Sequence, residues 1–471
     1  MGATMTPIID ASTLSSIFGE DSSGSTPDER ARTSHREFVR GQTMLAEASP
    51  AAKGRRLAAY EALSIFGLDV LRRAIEDGQV AIVSSRAEPA KTIKNRREAL
   101  GISIEMLAKM SGVKAGALEK METSGKVSPI RDIEKVAPPL AIDERYLGLS
   151  VNKSVDSELG VRFRRLFYGD GKKGLTAPIV GKLTEAAWLI ARQQDILDSL
   201  DVEDVVQREF EHSHDYTFPT YEAGYRLAAR TRALLGIDEH APIPSLRRLI
   251  EHDLNIPLIE TELGQSLAGA TIANGKRRGI VANIQGRNEN PWVRRMTLAH
   301  ELGHLLWDPD QQLERLVVDR YDEIIGEVKI LQDRVEMRAN AFAVAFLAPP
   351  AEVDRIVREN GSGWQAAIRL SEHFGISLTA SRAHIQNICR FQLAAGKGGP
   401  EVSDEWKAQE DRTNDFFPIT ETPISRRGRF SWAVVRALGE KLISDDTAAT
   451  LLNTNVEKFH KTRDSIFDLT S

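Results

Sequence analysis

The sequence predicts an α+β protein that is mostly α-helical and has one short antiparallel sheet. Apolar residues recur at helical spacing over most of the chain. Three short segments rich in β-branched residues, LNIPLIETEL, LAGATIANG and RRGIVANIQ, interrupt this pattern and indicate strands. The length of 471 residues exceeds that of one ordinary hydrophobic core. We therefore expect several domains, of which only one contains the sheet.

Composition and charge exclude some classes of protein. The 41% hydrophobic and 27% charged content is typical of a globular chain. The formal net charge is −5, so any contact with nucleic acid requires a local basic patch. Cys389 is the single cysteine, which excludes an internal disulfide and a cysteine-ligated zinc ribbon. The chain has neither a signal-peptide pattern nor a long apolar run, and we expect a cytoplasmic protein without a membrane span.

Changes in composition and periodicity divide the chain into segments. The first residues are rich in Ser, Thr, Gly, Asp and Glu, which bury too little apolar surface to order a chain. The stretch AAGKGGPEVSDEWKAQEDRTND is polar and contains glycines, as is typical of a linker. The predicted segments are a flexible arm (1–40), a helical segment broken at Gly67 (41–85), a small all-helical region (86–150), a helical connection (151–240), the α+β domain (241–395), a linker (396–425) and a helical tail (426–471).

The stretch MTLAHELGHLLWDPD contains two histidines at the spacing of one helical turn. On a helix, His300 and His304 can direct two imidazole nitrogens at one point, as a metal site requires. Glu301 is directed toward the same cleft, where it can accept a proton from water and pass it to a leaving amine. The alternative is a partly buried helix whose two histidines are satisfied by hydrogen bonds.

A third ligand has to come from elsewhere in the chain. Asp308 and Asp310 rank low, because the extended form of this motif needs a glycine where Trp307 stands. Glu336, on the helical stretch RVEMRANAFAVAFLAPP, lies on a different face from the apolar stripe. A carboxylate from this second helix leaves a fourth position open for water, which is the catalytic arrangement. The alternative for Glu336 is a solvated residue that pairs with Arg338 or Lys329.

The strand shortly before the histidine motif is a candidate for substrate binding. Its residues Ile280, Val281, Ala282 and Asn283 would lie at the edge of the sheet. An edge strand can bind an extended peptide through main-chain hydrogen bonds.

The segment RRMTLAHELGHLLWD followed by EMRANAFAVAFLAPP resembles the ImmA/IrrE family of metallopeptidase-like proteins. The resemblance continues upstream through IPSLRRLIEHDLNIPLIE and downstream to LSEHFGISLTASRAHIQNI. It implies a zincin-like fold, zinc ligands at His300, His304 and Glu336, and a catalytic base at Glu301. It also implies a substrate class, helix-turn-helix repressors whose cleavage relieves repression. Departures are small, such as Met296 where phenylalanine is usual.

The region 86–150 resembles a Cro/repressor-type (XRE) helix-turn-helix, in which Gly112 and Val113 would form the turn. Nine Lys or Arg residues against five Glu residues lie between positions 86 and 126, and Lys114 and Lys120 could contact phosphate. The base-reading positions hold residues that cannot form bidentate contacts with bases, namely Ile104, Ala115, Gly116 and Ala117. We expect a weak DNA binder or a docking or dimerisation module; the alternative is a helical bundle without a binding role.

Two functional hypotheses follow. The first is a zinc endopeptidase that cleaves a regulatory protein in a stress, mobile-element or defence response. The second is a DNA-binding transcriptional regulator or antitoxin-like protein whose metal-site domain senses a ligand or is structural. A homodimer formed through the helix-turn-helix region is compatible with both.

Overall fold

The computed structural model describes residues 10–149, 176–203, 205–206, 221–274, 277–308, 317–321, 334–360, 363–390, 393, 398–410 and 417–470. The chain forms two compact units. The first (unit 1) comprises residues 1–201 and 416–471, and the second (unit 2) comprises residues 202–415. Among the described helices, none combines the length and apolar character needed to cross a bilayer. The predicted fold class, a mostly helical α+β protein, is confirmed.

Unit 1 contains a four-stranded antiparallel sheet that the sequence did not predict. Its strands are β1 (Glu37–Arg40), β2 (Met44–Glu47), β3 (Arg55–Ala58) and β4 (Gln79–Ala81), in the order β3-β1-β2-β4. The described helices of unit 1 are Ala11–Phe18, Pro27–Thr33, Ala59–Phe66, Leu68–Glu76, Ala90–Ala99, Ile104–Ser111, Ala115–Met121, Ile130–Val136, Ala177–Ser199, Arg429–Gly439, Asp445–Leu451 and Val456–Thr470, with 3-10 turns at Pro138–Leu140 and Ile424–Arg426.

The flexible arm predicted for residues 1–40 is wrong over residues 10–40, and the first nine residues lie outside the described part. Two helices and a strand form here, because Leu14, Ile17 and Phe18 are buried in the core with the sheet. Thr26 and Glu29 form a reciprocal capping box that satisfies the first amides of the second helix. The polar composition thus reflects helix caps rather than disorder.

The helical segment predicted for residues 41–85 is partly correct. Its two helices, Ala59–Phe66 and Leu68–Glu76, are separated at Gly67, whose φ of 78° suits a residue without a Cβ. The strands β2, β3 and β4 in the same segment were missed. They are only three or four residues long, too short for an alternating pattern to stand out.

Residues 86–149 are helical, as predicted. The helices Ile104–Ser111 and Ala115–Met121 are joined at Gly112, which has a left-handed φ of 68°. Leu107 and Leu118 are buried, whereas Lys114 and Lys120 are exposed. A helix-turn-helix function for this region remains a prediction.

The C-terminal tail belongs to unit 1, and not to the unit that precedes it in the sequence. It is helical, as predicted, and its described residues form three helices. Asp446 of the tail accepts hydrogen bonds from the backbone of Arg56 and from Arg131, and Arg426 pairs with Glu185. The connecting region predicted at 151–240 is likewise divided, because its helix Ala177–Ser199 lies in unit 1 and its helix Tyr221–Leu234 lies in unit 2.

Unit 2 contains the predicted strands, but its sheet is mixed rather than antiparallel. Strand β5 (Leu258–Thr261) pairs in parallel with β7 (Arg277–Asn283), and β7 pairs antiparallel with β6 (Leu267–Asn274). A fourth strand, β8 (Val317–Arg320), pairs with β6 and completes the order β5-β7-β6-β8. The described helices of unit 2 are Tyr221–Leu234, Leu246–Arg248 with a π-helical continuation at Leu249–Asp253, a 3-10 turn at Gly286–Glu289, Pro291–Trp307, Arg334–Leu347, Pro350–Asn360, Trp364–Phe374, Leu378–Cys389 and Asp404–Gln409.

The linker predicted at 396–425 is wrong for residues 404–410, which are part of unit 2. They form a helix that begins after a Ser403 cap, and Trp406 on it is buried. Glu410 pairs with Arg295, and both side chains are almost completely buried. A buried ion pair in a segment of polar composition cannot be recognised before its partner is known.

Candidate metal centre

The helix Pro291–Trp307, called the histidine helix below, lies in unit 2. It contains His300, Glu301 and His304 in the order His-Glu-x-x-His. Asn290 caps its first turn by accepting a hydrogen bond from the Trp292 amide. His300, Glu301 and His304 are all buried. Three buried polar side chains on one helix require partners from the neighbouring elements.

The helix Arg334–Leu347, called the glutamate helix below, supplies the first partner. A Cβ at Gly303 would lie 2.7 Å from a ring atom of Phe342, so glycine permits the close approach of the two helices. Glu336 Oε2 lies 3.3 Å from His300 Nε2 and 3.4 Å from His304 Nε2. The two Nε2 atoms are themselves 3.0 Å apart. The predicted set of His300, His304 and Glu336 is therefore brought together.

The outward-facing nitrogens of the two imidazoles are held by separate groups. Asn340 Oδ1 lies 2.9 Å from His300 Nδ1, and Asp308 Oδ2 lies 2.8 Å from His304 Nδ1. Arg338 pairs in turn with Asp308. When Nδ1–H donates to these oxygens, the Nε2 atom of each ring, which faces Glu336, is the nitrogen that can bind a metal ion after losing its proton. Asp308 thus orients a candidate ligand, in agreement with its low rank as a ligand; Asp310 lies outside the described residues.

Asp319 on β8 is a fourth member of the cluster that the sequence analysis missed. Its Oδ2 lies 3.6 Å from His300 Nε2, is buried, and has no hydrogen-bond partner among the described residues. One ligand atom from each of His300, His304, Asp319 and Glu336 lies within 4.8 Å of the other three. The only sequence signal was an aspartate among β-branched residues in LVVDRY, in a stretch interpreted as helical.

Glu301 faces the sheet from the histidine helix. Its Oε2 accepts a hydrogen bond of 2.7 Å from the Thr271 hydroxyl on β6, and its Oε1 has no partner among the described residues. A Cβ at Gly269 of β6 would lie 2.8 Å from that Oε1. Glycine at this position therefore leaves space beside the carboxylate.

The buried charges shift one another's pKa values strongly. Burial by itself lowers the pKa of His300, but the nearby carboxylates of Asp319 and Glu336 raise it to about 10. Burial raises the pKa of Glu336, yet hydrogen bonds with the two histidines bring it well below its usual range. Burial, followed by the charge of Asp319, raises the pKa of Glu301 well above its usual value. The pKa of His304 is likewise raised against the effect of burial, chiefly by Asp308, so the carboxylates around the two imidazoles stabilise positive charge at this place.

The predicted edge-strand role of Ile280, Val281, Ala282 and Asn283 is wrong. They lie on β7, which pairs with β5 on one side and β6 on the other. Their main-chain groups are therefore used within the sheet and cannot bind a peptide. The Asn283 amide donates to the carbonyls of Gly264 and Leu267 and fixes a neighbouring loop. Among the described strands of this sheet, β5 and β8 lie at the edges.

Two histidines and two carboxylates from a helix pair and a strand define the kind of side-chain cluster that holds a metal ion. Residues 286–385 match the family model Peptidase_M78, described as the IrrE N-terminal-like domain. The match spans the histidine helix, β8 and the glutamate helix. It supports the resemblance to the ImmA/IrrE family and a metallopeptidase-type function for this part of the chain. A comparison of the chain with curated proteins found no match.

Proposed function

We propose that unit 2 is a zinc-dependent endopeptidase in which His300, His304 and Glu336 hold the metal and Glu301 is the general base. The observation that carries this proposal is the convergence of two Nε2 atoms and Glu336 Oε2 within 3.0 to 3.4 Å of one another. Glu301 lies on the histidine helix, and its Oε1 has no hydrogen-bond partner among the described residues.

The distances suit zinc. Ligand atoms at about 2.0–2.2 Å from a tetrahedral zinc ion lie roughly 3.3–3.6 Å apart. The separations of the four ligand atoms that involve His300 are 3.0, 3.3 and 3.6 Å. Because the only cysteine, Cys389, lies outside this cluster, the donor set is imidazole and carboxylate, which zinc accepts. When bound there, zinc supplies Lewis acidity, which polarises a peptide carbonyl and acidifies water.

Glu301 would move the proton. Its Oε2 is held by the Thr271 hydroxyl, which leaves Oε1 to accept a proton from the attacking water and donate it to the leaving amine nitrogen. Burial of His300, Glu301 and His304 limits their contact with bulk water and strengthens these interactions.

The proposed substrate is a regulatory protein, such as a helix-turn-helix repressor, in the cytoplasm. The family resemblance supports this substrate class, and the reducing compartment fits a chain with one cysteine. Cleavage would relieve repression in a stress, mobile-element or defence response.

The test is a comparison of wild type with Glu301→Gln, co-expressed with a helix-turn-helix protein encoded by a neighbouring gene. Glu301→Gln should retain the metal, because no ligand changes, and should abolish cleavage. Glu359→Gln, at an exposed residue of unit 2, is the matched control and should cleave normally. Metal content is measured on the same samples. Cleavage that survives Glu301→Gln contradicts the assignment of the base.

The second candidate function is DNA binding by unit 1, and the exposure of Lys114 and Lys120 after the Gly112 turn favours it. It predicts weak, strongly salt-dependent retardation of DNA by the full chain. Replacement of both lysines by glutamine should remove the retardation while Glu301→Gln leaves it unchanged. A homodimer formed through residues 86–150 would make the DNA contact bivalent.

A further inference from the structure

Unit 1 contains a cavity of about 470 Å³ whose lining is far more charged than a protein interior. Seven arginine or lysine side chains and five carboxylates line it, together with Trp188. The volume lies within the range of small-molecule sites and far exceeds that of a single water molecule. None of these residues belongs to the metal centre, and the family match does not extend to unit 1.

Arg40, on β1, is the most unusual residue of the lining. It is only 4% exposed, and its terminal nitrogens bond to the carbonyl oxygens of Arg145 and Leu147. Among the described residues, no carboxylate oxygen forms an ion pair with it, and its Nε has no acceptor. A buried cation without a directly paired counter-ion is unfavourable unless another anion binds beside it. Burial lowers the pKa of Arg40, whereas Glu144, Glu134 and Asp143 act in the opposite direction.

The other charged residues of the lining are largely paired within the protein, for example Arg145 with Asp143 and Arg55 with Asp446. Each of the five carboxylates already accepts a hydrogen bond from a protein group, and Glu144, for example, accepts from Arg192 and from Trp188 Nε1. The Nε atoms of Arg192 and Arg426 are buried and have no acceptor among the described residues. Their guanidinium groups lie 5.4 and 5.3 Å from the Trp188 ring centre. Among the described residues, the lining therefore leaves no unpaired carboxylate to neutralise Arg40.

We propose that this cavity binds a small molecule that carries an oxyanion, either a phosphate or a carboxylate group. The oxyanion would accept from the guanidinium group of Arg40 and neutralise its charge, which the protein pairs with carbonyl oxygens only. Charge-assisted hydrogen bonds of this kind are among the stronger polar contacts in proteins. The site is independent of the peptidase proposal, because all its residues belong to unit 1.

The test is calorimetric titration of the full chain with pyrophosphate and, separately, with citrate, at constant ionic strength set by chloride. At least one of the two should bind saturably with one site per chain, and the preferred one identifies phosphate or carboxylate as the recognised group. Arg40→Met, which removes the charge but keeps most of the side-chain volume, should weaken binding by about tenfold or more. Arg72→Gln, at a half-exposed arginine of unit 1 outside the cavity, is the matched control and should bind normally.

Both anions can also interact with a metal ion, so the variants localise the binding. Affinity that falls in Arg40→Met and not in Arg72→Gln assigns the binding to the cavity, since neither change touches the metal centre. If Arg40→Met does not fold, as judged by circular dichroism, Arg426→Gln replaces it and should show the same loss. Absence of saturable binding of both anions, or binding that both cavity variants retain, overturns the proposal.

Discussion

Asp319 Oδ2 lies 3.6 Å from His300 Nε2, on the side of the imidazole that also faces Glu336. This relationship distinguishes the site from a set of two histidines and one glutamate. Three protein ligands leave a position for water, whereas four close the coordination shell of a tetrahedral ion. Asp319 lies on an edge strand of the sheet, where a small displacement would change its distance from the cluster.

Asp319→Asn should therefore lower metal affinity without abolishing cleavage. We expect a decrease of about tenfold in affinity, since three ligands remain, and cleavage at least as fast as that of the wild type. A chelator competition assay measures affinity, and the absorption of the cobalt-substituted protein reports the change in ligands. Wild-type affinity combined with loss of cleavage would instead make Asp319 a catalytic group.

Asn340→Ala should lower metal affinity through its effect on the orientation of the His300 ring. Asn340 Oδ1 accepts from His300 Nδ1, and its loss leaves the imidazole free to change tautomer. We expect metal affinity to fall by roughly 10-fold to 100-fold with little change in the free energy of unfolding of the metal-free protein. Asn360→Ala, at an exposed residue of the same unit, is the matched control. Unchanged affinity would show that packing alone orients the ring.

Gly269→Ala should impair the proposed base, Glu301, without affecting metal binding. The added Cβ would lie 2.8 Å from Glu301 Oε1 and 2.9 Å from the Val281 carbonyl oxygen, so the carboxylate has to move. We expect strongly reduced cleavage at full metal content, measured on one preparation. Gly363→Ala, where a Cβ meets no atom within 4 Å, should behave as the wild type. A variant that cleaves normally would argue that Oε1 is not the reacting oxygen.

Local sequence patterns were sufficient to predict the two histidines and Glu336, but not Asp319 or the position of the strand proposed to bind substrate. The spacing of His300 and His304 and the helical position of Glu336 were sufficient, because one helical period determines which side chains share a face. Asp319 escaped because its role depends on the pairing of β8 with β6, which joins residues about 50 positions apart. The substrate strand was misplaced for the same reason, since the parallel pairing of β5 with β7 turned a predicted edge into the centre.

Glu410→Ala should destabilise unit 2. The side chains of Arg295 and Glu410 are both almost completely buried. Removal of the carboxylate therefore leaves a buried guanidinium group without its ion-pair partner. We expect a loss of about 3–5 kcal/mol in the free energy of unfolding, measured by urea denaturation. Glu405→Ala, at an exposed position of the same helix, should cost less than about 0.5 kcal/mol. Equal effects of the two variants would restore the linker interpretation of residues 404–410.

Glu61 should make unit 1 less stable as the pH rises toward neutrality. Burial raises the pKa of Glu61 from its ordinary value of 4.5 to about 7, despite hydrogen bonds from Thr447 and Ser444. Between these two values the folded state binds more protons than the unfolded state. The contribution of protonated Glu61 to the free energy of unfolding is therefore complete below pH 4.5 and is lost as the pH rises through 7. The contribution is about 3 kcal/mol for a shift of this size. Thermal unfolding across this range, in buffers without phosphate or citrate, should show a shallower pH dependence in Glu61→Gln than in wild type or in Glu76→Gln, at a half-exposed residue of unit 1. Parallel pH profiles of all three proteins would show that folding does not raise the pKa of Glu61.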